Sequence, residues 1–172
     1  MQHDQLVEMI RKATTEVFET MLATTLACGN PYVDDSAPGP QDGVVSLIGL
    51  AGPWVGSGML ACKAETARRI SGLLLMQDFS AVDEDVLDAV GEVTNMIFGN
   101  VKTLIEELIG PMGLSIPTVI FGRNFSTRSL GRGQWTVVPF HLEGGEFDVH
   151  LCLTLAPQPQ SAAPRPQSIA VL

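Results

Sequence analysis

The stretch that decides the fold runs from residue 44 to residue 63 and reads VVSLIGLAGPWVGSGMLACK. Residues 44 to 62 carry no charge, and their length would just suffice for a membrane-spanning helix. They also hold Gly49, Gly52, Pro53, Gly56 and Gly58, a density that suits two strands and a turn better than a continuous helix. The reading adopted is a buried hairpin, with strands near 43–50 and 55–62 turning at Ala51-Gly52-Pro53, and no membrane insertion.

The chain then repeats this design. Residues 137–156, VVPFHLEGGEFDVHLCLTLA, line up on 44–63 without a gap as strand, glycine turn and strand. Each hairpin is preceded by a helix with a related signature, Thr15-x3-Glu19-x2-Leu22 in the first half and Asp88-x3-Glu92-x2-Asn95 in the second. Two ordinary amphipathic helices aligned by chance are the competing explanation.

Apolar residues at Leu6, Met9, Ile10, Ala13, Val17 and Met21 have the three-four spacing of a helix over 5–27, ended by Gly29-Asn30-Pro31. DDSAPGPQDG, residues 34–43, is a surface loop by composition. A short helix at 64–76 turns Ile70, Leu73 and Leu74 inward. Ser80 is the expected N-cap of a long helix reaching about residue 108, with Asp83, Glu84 and Asp85 in its first turn and Gly110-Pro111 after it. A strand at 117–121 and a hairpin at 134–142 and 147–155, turning at Glu143-Gly144-Gly145, complete a domain of residues 1–155. Residues 156–172 form a Pro/Ala/Gln-rich tail outside the core. The expected fold is α+β: a pseudo-symmetric repeat of helix plus β-hairpin, with long helices packed on one face of a mostly antiparallel sheet.

Composition narrows the function. With 172 residues, 45% hydrophobic and 17% charged, the chain can bury the core of one domain. A net charge of −9 and no basic run argue against nucleic acid or an anionic membrane as partner. Cys28, Cys62 and Cys152 form no C-x-x-C pair and sit among apolar residues, as thiols do in a reducing compartment. With no secretory signal at MQHDQLVEM, the expected location is cytoplasmic. His141 and His150 lie close to Cys152 in sequence, but the reading assigns no metal site.

The chemistry is sought in DAVGEVTNMIFGN, residues 88–100. At 100° per residue, Asp88, Glu92, Asn95 and Gly99 fall within about 60° of one another. Val86, Val90, Val93, Ile97, Val101, Leu104 and Leu108 take the opposite side. Solvent alone accounts for Glu92. It accounts less well for Asn95, because asparagine is a mediocre helix former that competes for its own backbone. Thr94 and Asn100 lie off this stripe and are read as surface residues.

These residues resemble the CheC/CheX/FliY family of chemotaxis proteins, whose pattern is Asp or Ser, three residues, Glu, two residues, Asn, and a proline about 22 residues on. Here it stands as Asp88, Glu92, Asn95 and Pro117. One intact pair, and not two, is similar to the CheX branch. The resemblance implies a phosphatase acting on the aspartyl phosphate of a CheY-like response regulator, and a homodimer joined through its sheet. It explains neither the 34–43 loop nor the tail.

Aspartyl phosphate is an activated acyl phosphate, so a helper need supply little beyond a positioned water. Asn95 suits that role, since a neutral amide offers a donor and an acceptor and is not repelled by the phosphoryl group. Glu92 is ionised at neutral pH and must meet a cation. The resemblance implies the regulator's active-site lysine; a general base is the alternative role. Asp88 either orients Glu92 or is merely solvated, and Pro117 sets a strand start or chain reversal beside the helix. No cofactor of the chain's own is expected, Mg2+ arriving with the regulator. Two other readings compete: a non-catalytic dimeric docking module of a chemotaxis or flagellar-switch assembly, and a small-ligand pocket at the glycine-rich hairpin.

Overall fold

The computed structural model describes residues 1–35, 42–123, 125 and 133–157. Most of the 34–43 loop and the tail from residue 158 onward lie outside the described residues. Helix α1 (His3–Met21) leads into short strands β1 (Ala27–Cys28) and β2 (Tyr32–Asp34). The first hairpin, β3 (Asp42–Ala51) and β4 (Trp54–Cys62), follows, then α2 (Ala64–Leu75) and α3 (Glu84–Ile109). Strands β5 (Gly113–Leu114) and β6 (Thr118–Arg123) precede the second hairpin, β7 (Trp135–Leu142) and β8 (Gly145–Leu155). The uncharged stretch at 44–62 is therefore β3, a turn and β4. No helix of the described residues is long and apolar enough to cross a membrane.

All eight strands form one antiparallel sheet of order β1-β7-β8-β4-β3-β5, with β2 also on β7 and β6 also on β3. The halves are interlocked: β2 belongs to the first half yet pairs with β7, and β6 belongs to the second yet pairs with β3. The gapless repeat alignment sets Gly58 on Leu151, and these two are register partners in the central β4–β8 ladder. The local twofold passes between them. The alignment fails in the outer strands. It equates Val44 with Val137, but Val44 joins the core under the helices while Val137 joins a second cluster on the opposite face. The hairpin turns cause the slip, since Gly52-Pro53 and Glu143-Gly144 are not equivalent positions in the alignment.

The helices bury one face each against the sheet. Leu6, Val7, Ile10, Ala13, Val17 and Phe18 of α1 are buried, and the Phe18 ring stacks on Phe147 at 5.0 Å, which in turn stacks on Phe140 at 5.4 Å. Each fully buried phenylalanine contributes roughly 1.5–3 kcal/mol. α3 buries Val86, Val90, Val93, Ile97, Phe98, Val101 and Ile105, and the Ser71 hydroxyl of α2 donates to the Val86 carbonyl at 3.1 Å. Leu108, expected on that side, is 58% exposed near the helix end.

Two boundaries and three short strands differ from what the sequence predicts. α1 stops at Met21, not near residue 27, because Ala23 takes a left-handed conformation (φ 49°) and Thr24 N–H returns to the Phe18 carbonyl. The N-cap of α3 is Asp83, not Ser80; its carboxylate accepts from Val86 N–H at 3.0 Å. Strands β1, β2 and β5 were not anticipated.

Candidate functional site

α3 positions the site. Its buried valines and isoleucines press one side onto the sheet, which forces the opposite side outward, and Asp88, Glu92 and Asn95 are all exposed there. Glu92 and Asn95 are separated by about 4.5 Å along the axis. Among the described residues none of the three side chains is held in a hydrogen bond or ion pair, so all are available to a second molecule. Gly99 continues the ridge and is half-exposed. Thr94, read as a surface residue, is instead fully buried, its hydroxyl donating to the Val90 carbonyl at 2.8 Å. A threonine that bonds its own helix can occupy an apolar face, which its polarity concealed.

Pro117 is half-buried and stands immediately before β6. Two residues on, Val119 packs on α3 so closely that a Cβ at Gly91 would lie 3.2 Å from its Cγ2. Gly91 precedes Glu92, so the segment begun by Pro117 packs on α3 next to the ridge. Asp88, Glu92 and Asn95 are thus brought together on one helix, while Pro117 lies outside it, at the start of β6.

The second half alone carries the intact pattern, and the first shows why. Thr15 is half-exposed and Glu19 exposed, as on α3, but Leu22 is 3% exposed and caps the helix. Where α3 continues for more than three turns beyond Asn95, α1 ends and turns its last apolar side chain into the core.

Other candidate chemistry falls away. Cys62 is buried and its thiol is pushed up to about 12 by burial, which disfavours the thiolate a nucleophile requires. Cys152 is buried, its thiol also raised, and Cys28 is exposed at the sheet edge. His150 is fully buried, while His141 faces Glu146 at 3.7 Å. No group of three or more His, Cys, Asp or Glu among the described residues could hold a metal ion. The glycine-rich hairpin is packed, not hollow: a Cβ at Gly58 would lie 2.3 Å from the Phe98 ring. A surface cleft of about 380 Å3 lies among Arg68, Arg69, Gly72 and Phe79, away from the ridge residues.

Comparison with known proteins bears on the family and the fold. Residues 44–141 match the family described as Chemotaxis phosphatase CheX. The chain is 30% identical over 148 residues to the CheY-P phosphatase CheX of Thermotoga maritima, covering 86% of this chain and 94% of that protein. Among solved structures, the chemotaxis protein CheX from Desulfovibrio desulfuricans is 30% identical with a TM-score of 0.77, covering 87% of this chain and 99% of that one. The CheX of a CheX–CheY–BeF3–Mg2+ complex from Borrelia burgdorferi is 25% identical with a TM-score of 0.75, covering 86% and 97%.

Proposed function

The chain belongs to the CheX family of chemotaxis phosphatases, and from that premise we propose that it removes phosphate from the aspartyl phosphate of a CheY-type response regulator. The observation that carries this reading is the exposed, unengaged carboxylate–amide pair of Glu92 and Asn95 on a rigid helix. Its support is the solved complex of a similar protein with CheY, BeF3 and Mg2+, a phosphoryl mimic and metal suited to a receiver's acidic cleft.

In this mechanism α3 enters the regulator's cleft. Asn95 holds a water in line with the phosphorus, its amide oxygen accepting from the water and its N–H2 donating to the water or to a phosphoryl oxygen. The water oxygen attacks phosphorus, the bond from phosphorus to the aspartyl oxygen breaks, and the proton passes to the departing phosphate. Products are inorganic phosphate and a free aspartate. The transition state is loose, so positioning outweighs proton abstraction. That favours Glu92 as a docking group for the regulator's lysine over a general base, with Asp88 one turn away supporting it. Mg2+ arrives with the regulator. A neutral amide is tolerated next to the phosphoryl group where a second carboxylate would be repelled.

The assay is decay of a radiolabelled phosphorylated regulator. Asn95→Ala is expected to slow the catalysed component about a hundredfold, or about 2.7 kcal/mol. Glu92→Ala should chiefly raise KM. Equal decay with wild type and Asn95→Ala removes the mechanism, and capture of the regulator without turnover leaves a docking module.

The same reading includes a homodimer formed along the sheet. Its support is the open edge strand β6, where Ile120 is 37% and Phe121 47% exposed.

A further inference from the structure

Gly99 has no evident reason to be glycine. It lies inside α3, where glycine lowers helix stability relative to alanine. Its φ is not in the left-handed region, and an added Cβ would meet nothing within 4 Å. Other glycines nearby have their cause in view: Gly91 admits Val119, and Gly58 admits the Phe98 ring. The helix backbone at Gly99 is intact, and its carbonyl also accepts from the Thr103 hydroxyl at 3.0 Å. Position supplies the missing cause. Gly99 follows Asn95 by one turn on the same ridge, about 40° around the helix and about 6 Å along it. The bare patch therefore adjoins the amide and faces solvent.

Resting on the role of Asn95 argued above, we propose that Gly99 is a positioning residue: its absent side chain leaves a notch in which the backbone of the regulator's phosphoaspartate-bearing face settles. The notch sets how deeply the Asn95 amide reaches. A side chain there holds α3 away from the cleft and moves the ordered water off the line of attack. A misplacement of about 1 Å can cost on the order of a hundredfold in rate. Helix stability and catalysis therefore oppose one another at this position. Any methyl group added at Gly99 strengthens the helix and weakens the enzyme.

The experiment compares wild type, Gly99→Ala, Gly99→Leu and Asn95→Ala by thermal unfolding, by dephosphorylation of a CheY-type regulator, and by binding to the same regulator carrying BeF3 and Mg2+. Gly99→Ala should raise the unfolding midpoint by about 2–4 °C while slowing dephosphorylation about tenfold. Gly99→Leu, no less stable than wild type, should slow it about a hundredfold and weaken binding of the BeF3 form. Wild-type rates for Gly99→Leu beside an inactive Asn95→Ala overturn the notch and leave the Asn95 mechanism standing. A wild-type rate for Asn95→Ala overturns that mechanism, and the notch with it. Lowered midpoints in both Gly99 variants also overturn the proposal, since they reveal a packing role.

Discussion

Acidification should destabilise this protein through the buried His150. His150 is fully buried on the sheet face away from the helices, between its register neighbours Val137 and Met59, with the Trp135 ring edge-on at 6.4 Å. Among the described residues neither ring nitrogen has a hydrogen-bond partner. Burial pushes its pKa down to about 4, against a smaller upward pull from Asp34. The sign follows directly: below about 6.5 the unfolded chain binds a proton that the folded chain refuses until about 4. Stability is lost as pH falls through that window. At pH 4.5 the unfolded ring is almost wholly charged and the folded ring mostly neutral, a difference of about 2.5 kcal/mol. His150→Leu removes both orphaned nitrogens and the linkage, and should be near neutral at pH 7. Urea unfolding of both proteins from pH 7 to 4.5 should show wild type losing about 2.5 kcal/mol more than the variant. Parallel profiles would show that His150 does not titrate as its burial requires.

Three further outcomes follow from packing and charge. Gly58→Ala should cost about 1–3 kcal/mol in denaturant unfolding, because its Cβ would overlap the fully buried Phe98 ring; an unchanged midpoint would mean that the ring has room to move. The Glu106 carboxylate is held below its usual range by its hydrogen bond to Lys102, at 2.8 Å, and by Met112 N–H, at 2.7 Å. Its contribution is present above the unfolded pKa and lost as pH falls through the lower folded value, so Glu106→Gln should flatten the acid side of the thermal-stability curve. Phe121→Lys on β6 should shift a dimer to monomer in size-exclusion chromatography with light scattering, and an unaltered mass would remove that edge as the interface.

The layout was legible wherever periodicity ran long. α3 shows its face through seven apolar positions, and both hairpins show themselves by apolar runs broken at glycine. Legibility ended where a tertiary contact outweighed local pattern. The apolar spacing of α1 runs on past Met21, but nothing in it marks Ala23 as a left-handed residue. Strands β1, β2 and β5 have two or three residues each and exist only because β7 and β3 offer them an edge. Asp83 takes the cap that Ser80 offers one turn earlier, because the two are equally good capping residues. At the ridge, Asn95 stood out by being poorly suited to a bare helix surface, whereas Thr94 was misread because its hydroxyl is satisfied within its own helix. Gly99 was seen on the ridge, but its want of neighbours is visible only in three dimensions.

The exchange of β2 and β6 across the sheet ties the two halves of the chain to one another. Neither half closes its own sheet, because each borrows an outer strand from the other. Severed between α2 and α3, the two pieces should still find each other in solution, because each holds the strand the other lacks.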